Sequence, residues 1–257
     1  MIVWKKRGAC AGRACRMLRI LLYRVRRIRP GWWVLLIAAA LSLVVTTVPR
    51  RYWRILRAGM TEHKGIVTLL VVFIFLALSL IWSAGQRIDA YVFSCFNIMG
   101  HKRPWLDRVM ALMTELGNGI VTAVILLAFY FAVNHLLAYE FVLGTLTLWL
   151  FVELIKITVR RPRPFTRLAD VRVVGGRARG KSFPSGHTSQ AFFIATLVAQ
   201  HFHAGILGVV GLYFLAAFVG VTRMYLGMHY PRDVLAGAIL GSVWATISMS
   251  AIGYLLQ

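Results

Sequence analysis

Acidic residues are scarce in this chain. Its 257 residues include eight Asp and Glu against thirty Lys and Arg, a formal charge of +22. Charged residues make up only 15% of it, against about 25% in a soluble domain. There are three cysteines, Cys10, Cys15 and Cys95. That is too few for a disulfide scaffold, and their spacing matches no metal site, so free thiols are expected. Low-complexity linkers and internal repeats are also lacking. Low hydrophobicity, which disorder requires, is excluded by an apolar content of 59%.

The apolar residues come in long runs, which argues against a soluble enzyme. A strongly basic chain can serve nucleic acid or an anionic membrane. Here the basic residues lie between apolar stretches, and no stretch forms a compact soluble core, so nucleic acid is not an expected partner. Seven stretches are candidates for a spanning helix of about 20 residues: 32–48, 66–84, 119–133, 136–156, 185–202, 205–225 and 234–256. The predicted fold is an all-α polytopic membrane bundle of six core helices from Ile66 onward, with an added N-terminal apolar helix. Residues 1–64 form a basic tail with an apolar segment, and residues 65–257 the membrane-embedded domain. Short joins near Asn134 and His203 predict two tight helical hairpins.

The first thirty residues hold ten Lys or Arg and no acid. Within them, residues 17–28 alternate apolar and basic positions. That segment reads equally as an interfacial helix or a solvated tail. A cleaved signal peptide is not expected. Two inter-span segments are long. Residues 85–118 contain an amphipathic stretch, 105–116, that suits an interfacial helix. Residues 157–184 hold eight Lys or Arg against one acid, Asp170. Long segments in a compact protein are often functional.

Three clusters carry candidate chemistry. The first runs from Lys156 to Arg163-Pro164. Pro162 and Pro164 stop the preceding helix, leaving two cations at one membrane edge. The plainer reading is a positive flank of snorkelling side chains. The second is Pro184-Ser185-Gly186-His187, opening the fifth core stretch's helix. A helix start presents free N–H groups that suit an anion. Gly186 allows close approach, and His187 can give a proton near neutral pH. Alone, Ser185 reads as an N-cap. The third cluster holds Arg223, His229, Pro231 and Asp233. Pro231 suits the first position of the last helix. Asp233 can then reach one imidazole nitrogen of His229, the pairing that activates a nucleophile. Asp233 alone also reads as an acid favoured by the helix dipole. Alternating helices place all three clusters on one membrane side. Three cations, two His and one acid fit a bound phosphate, because fork-shaped Arg donors match its oxygens. Glu153, three residues before Lys156, should pair with it.

Together the clusters resemble the signature of the type 2 phosphatidic acid phosphatase superfamily. That signature is Lys, six residues, Arg-Pro; Pro-Ser-Gly-His; and Ser-Arg, five residues, His, three residues, Asp. Thr222 stands where the family usually has Ser and keeps the hydroxyl. The stretch from Pro104 also resembles the family, and the likeness covers roughly residues 65–257. The resemblance implies a lipid phosphatase with His229 as the nucleophile, forming a phospho-histidine, and Asp233 orienting it. His187 would protonate the leaving oxygen and then activate water. Lys156, Arg163 and Arg223 would hold the phosphate oxygens, with Ser185 and the Gly186 N–H completing the cradle. The residues alone leave open which His attacks.

No metal or other cofactor is expected, since three cations make a poor divalent site. The expected partners are a lipid phosphate substrate and membrane lipids. Undecaprenyl diphosphate is the chosen substrate, with phosphatidylglycerol phosphate and phosphatidic acid as alternatives. A phosphotransferase or a lipid-phosphate binding or transport protein is the different-class reading. The intact His–Asp pair argues against mere binding. If residues 32–48 cross the membrane, the site's side carries 23 Lys and Arg against 5, and the positive-inside rule makes it cytoplasmic. If they lie shallow or re-entrant, the tail changes sides. The extracytoplasmic placement is the expectation adopted.

Overall fold

The structure is a computed structural model, and it describes residues 64–98, 103–133, 135–178 and 180–255. Residues 1–63, including the basic tail and the apolar stretch 32–48, lie outside the described residues. Among those described, all regular structure is helical. In chain order the helices are α1 (Lys64–Ser79), α2 (Ser83–Ile98), α3 (Pro104–Thr114), α4 (Gly119–Ala132), α5 (His135–Val159), the single turn α6 (Pro164–Arg167), α7 (Gly186–His201), α8 (Ile206–Tyr225) and α9 (Pro231–Leu255). A 3₁₀ turn, Glu115–Gly117, joins α3 to α4.

Helices α7 and α9 form the central pair. Helix α8 packs on α7, α1 on α9, α4 on α5, and α3 on α8. A core of Phe141, Leu148, Phe193, Leu197 and Leu240 fills the space between α5, α7 and α9. Outward faces are equally apolar. Phe75, Ile81 and Leu207 are 72%, 83% and 85% exposed. A soluble monomer does not leave so many large side chains in water, so these faces belong in lipid. The chain is a membrane protein.

The described helices overlie all six predicted core stretches, but length and composition support fewer spans. Two helical segments, Leu137–Arg167 and Ile206–Tyr225, are by themselves long and apolar enough to cross a membrane. The number rises to four if each bent pair is one span. One bent pair is α1 with α2, which meet at 97°. Here the sequence reading is corrected. The stretch 66–84 is not one helix, and residues 85–98, read as part of a loop, are helical. The cause is local. The Ser79 side chain bonds back to the Leu76 carbonyl at 2.7 Å. The freed carbonyls at the break find new donors: Arg232 Nη1 reaches Ser79 O at 2.6 Å, and Gln86 Nε2 reaches Leu80 O at 2.8 Å. The amphipathic stretch 105–116 is α3 and the start of the 3₁₀ turn, with Met110 and Thr114 buried.

Small residues bring α7 and α9 together. Gly237 and Gly241 stand four apart on α9, a spacing that lets backbones approach closely in a membrane. A Cβ at Gly237 would lie 2.6 Å from the Ser185 carbonyl oxygen, and one at Gly241 would collide with that of Ser189. Gly211 on α8 has open space around it. Gly241→Ala should therefore destabilise the bundle by about 1–3 kcal/mol through overpacking. Gly211→Ala should leave it unchanged or stabilise it by up to about 1 kcal/mol. Thermal unfolding of the two variants in detergent separates the cases. Equal midpoints would show that the α7–α9 approach is not this tight.

Candidate active site

Each functional side chain is set by a helix end. Helix α5 stops at Arg160, a non-glycine residue at φ 54°, and the extended Arg163 then caps α6. Lys156 lies in the last turns of α5. Its Nζ bonds Glu153 at 2.7 Å, the expected intrahelical pair. Ser185 caps α7, and its Oγ accepts from Thr188 Oγ1 at 2.9 Å. The Ser185 N–H donates to the Asp233 carbonyl at 2.9 Å. Ser185 is fully buried, so its observed work is to tie α7 to α9. Thr222, at the position the family signature gives to Ser, bonds its own helix at Val219 O, 2.6 Å.

His229 sits on the turn between α8 and α9 and is 2% exposed. Its Nδ1 lies 2.8 Å from the Ser182 carbonyl. A carbonyl only accepts, so the proton is on Nδ1 and the lone pair is on Nε2. Arg163 Nη1 donates to that Nε2 at 3.1 Å and to Met228 O at 3.1 Å. Asp233 is placed differently from the expectation. Its Oδ2 is 3.8 Å from Nδ1, too far for a hydrogen bond. The carboxylate instead accepts from the Ser182 hydroxyl, from Tyr230 N at 2.9 Å and from Arg161 Nη1 at 2.6 Å. Asp233 thus acts on the imidazole as a nearby charge, while Ser182 supplies the direct contact. The i,i+4 spacing of the pair suggested a contact, but loop residue 182 comes between them.

Arg223 is 6% exposed and donates through Nη1 to Thr114 Oγ1 at 2.9 Å. Its Nε is buried without a hydrogen-bond partner among the described residues. A buried guanidinium N–H left open in this way is suited to an anion. His187 lies within electrostatic range of Arg223, His229, Lys156 and Arg163. The structure therefore brings all three sequence clusters to one end of the bundle. A cavity of about 390 Å³ reaches Lys156, Gly186 and His187 and extends between α4, α5 and α7 past Val152, Trp149 and Leu146. Its far end is marked by Gln190, whose Nε2 donates to Thr145 Oγ1 at 3.1 Å.

Three supporting residues escaped the sequence reading. Arg161 pairs with Asp233 and also with Asp89 on α2. Asp89 in turn takes Arg232 Nε at 2.7 Å. Ser182 holds both His229 and Asp233. One signal was available for Asp89. In a chain with eight acids, an Asp inside a helical stretch must be paired if buried.

The described residues form an all-helical, lipid-faced bundle with a cationic, His-bearing pocket at its helix ends, suited in charge to an anion. The family model of the PAP2 superfamily matches residues 137–256. The bacitracin transport permease protein BcrC of Bacillus licheniformis is 36% identical over 102 residues, covering 37% of this chain and 48% of that protein. The chain thus spans about half the length of that relative. Undecaprenyl-diphosphatase BcrC of Bacillus subtilis is 30% identical over 157 residues, covering 59% of this chain and 78% of that one. The crystal structure of a transmembrane PAP2 type phosphatidylglycerolphosphate phosphatase from Bacillus subtilis superposes with a TM-score of 0.63 at 23% identity, over 74% of this chain and 96% of that chain. The chain belongs to the PAP2 superfamily.

Burial pushes the His229 imidazole down to about 4, and Arg163 and Arg223 add to this against the opposing pull of Asp233. The ordinary value is about 6.5. Between these values the unfolded chain binds a proton that the native chain does not. Stability should therefore rise as pH goes from about 4 to 6.5, and the contribution of His229 should be about 3 kcal/mol across that window. His229→Gln should make this part of the pH–stability curve less steep by that amount. Parallel curves for wild type and variant, from thermal unfolding in detergent, would show that His229 is not held neutral.

Proposed function

We propose that the chain is a metal-independent lipid phosphatase that acts through a phospho-histidine at His229. The observation that carries this reading is the fixed tautomer. The Ser182 carbonyl holds the proton on Nδ1 and leaves the Nε2 lone pair at Arg163. An entering phosphate replaces Nε2 as the acceptor of the Arg163 N–H, which frees the lone pair. Nε2 then forms a bond to phosphorus as the bond to the leaving oxygen breaks, and His187 gives that oxygen its proton. In the second half, His187 takes a proton from water, the water oxygen attacks phosphorus, and the Nε2–P bond breaks. Lys156, Arg163 and Arg223 carry the charge on the phosphoryl oxygens, the largest contribution expected in phosphoryl transfer. The Gly186 N–H completes the cradle, and Ser185 supports it by tying α7 to α9.

The substrate is a lipid phosphate or diphosphate, and undecaprenyl diphosphate is the assignment made. It rests on the name of one relative and on the apolar cavity that opens from the site between α4, α5 and α7. Wild type in detergent with a chelator should release free phosphate from this lipid in preference to phosphatidylglycerol phosphate or phosphatidic acid. Brief exposure to ³²P-labelled substrate and quenching in base should label wild type and leave His229→Gln unlabelled. Label in both, or activity that requires added Mg²⁺, would refute the mechanism. Transfer of the phosphoryl group to a second lipid instead of water would make the protein a transferase.

The domain from residue 65 onward is proposed to cross the membrane six times. The site then faces the extracytoplasmic side. Arg177 is exposed on the loop beside the site. In a variant with Cys10, Cys15 and Cys95 replaced, a single Cys at 177 should react with a membrane-impermeant maleimide in intact cells. Labelling only after lysis would place the site in the cytoplasm.

A further inference from the structure

Arg161 also borders a second cavity of about 240 Å³, whose walls share no residue with the cavity at Lys156 and His187. Its walls include Ser83, Gln86, Arg87, Arg161, Arg167 and Tyr230, and none of its lining residues is acidic. Arginines from three elements thus line it: α2, the segment before α6, and α6 itself. Arg161 is fixed there. Its Nη1 and Nη2 hold Asp233 and Asp89, and its Cζ lies 4.2 Å over the Tyr230 ring. Arg87 and Arg167 are exposed, and neither has an ion pair among the described residues. Ser83, Gln86 and Arg87 belong to the first turns of α2, so the positive end of a 16-residue helix adds to the same field.

The surroundings say what kind of anion fits. The α1–α2 break beside the cavity exposes Ile81 and Trp82, 83% and 62% accessible, and the outer face of α2 exposes Ile88 and Tyr91. An aromatic and aliphatic rim around a cationic hollow is the pattern of a membrane interface. A ligand there needs a phosphate for the arginines and acyl chains for the rim. We propose that this cavity binds the phosphate of an anionic phospholipid, at a position distinct from the cavity at Lys156 and His187.

Native mass spectrometry of the full chain in detergent tests this with phosphatidylglycerol as the probe. That lipid is a phosphodiester and offers no terminal phosphate to hydrolyse. Wild type should retain it at a saturable site in preference to phosphatidylcholine. Arg87→Gln with Arg167→Gln should weaken retention at least tenfold, the loss of about one charge-assisted contact's worth of binding. Both residues are exposed, so the unfolding temperature without lipid should not change, and the comparison is between folded proteins. Arg223→Gln should leave retention intact. Unchanged retention in the double variant overturns the proposal, as does loss in Arg223→Gln alone, which would put the lipid in the candidate active site. Excess inorganic phosphate separates the two sources of the anion. A retained lipid adduct supports the phospholipid, and full displacement would assign the cavity to a free anion.

Discussion

The carboxylate of Asp233 is completely buried, and the arrangement of the candidate site follows from how its charge is kept. An ionised carboxylate away from water is tolerated only when paired and hydrogen-bonded. Asp233 has the guanidinium of Arg161, the hydroxyl of Ser182 and the N–H of Tyr230. Arg161 is itself nearly buried and needs a second anion, which is Asp89 on α2. Asp89 is shared with Arg232, and Arg232 reaches the carbonyl where α1 breaks. Two carboxylates and two guanidiniums thus form a neutral chain through three elements: α2, the segment before α6, and α9. No member can be neutralised singly without leaving a charge alone in the bundle. The turn that carries His229 is fixed at one end by this chain.

The scarcity of acid gives this pairing its selectivity. Of four Asp, three are ligated by Arg across the fold: Asp89, Asp107 and Asp233. Asp107 on α3 holds Arg172 at 2.7 Å and the Tyr225 hydroxyl at 2.6 Å, close to where α8 ends. Buried Asn97 fastens the same corner, bonding the Tyr225 carbonyl at 2.9 Å and both the N–H and the carbonyl of Arg172. Among the described residues, exposed cations such as Arg103, Arg177 and Lys181 have no ion pair. They face water or headgroups on the loops, where a surplus of positive charge costs little.

The sequence was legible where punctuation and chemistry coincide. Pro162, Pro164, Gly186 and Pro231 mark helix ends, so the cations and imidazoles beside them could be placed at one end of a bundle from spacing alone. It was illegible where a break carries no marker. Residues 80–82 are Leu, Ile and Trp, and an apolar run does not show that α1 stops at Ser79. The partners of that break, Arg232 and Gln86, come from 153 residues away and from the next helix. Ser182 and Arg161 were hidden for a similar reason. They lie in loops rich in polar residues, and only the folded chain shows that a main-chain carbonyl reaches His229 before the Asp233 carboxylate does.

On the proposed chemistry, the contact between Arg163 and Nε2 of His229 also explains why a buried nucleophile can rest safely in its site. A lone pair held by a guanidinium N–H is a weaker nucleophile than a free one. A phosphate dianion is a far better acceptor for that N–H than a neutral imidazole. Binding therefore moves the donor from nitrogen to phosphoryl oxygen. One exchange places positive charge where the transition state needs it and frees the lone pair that attacks. The buried, unpartnered Nε of Arg223 fits the same logic from the other side of the phosphate. A donor kept out of water gains most when an oxyanion arrives, because no water bond must first be broken.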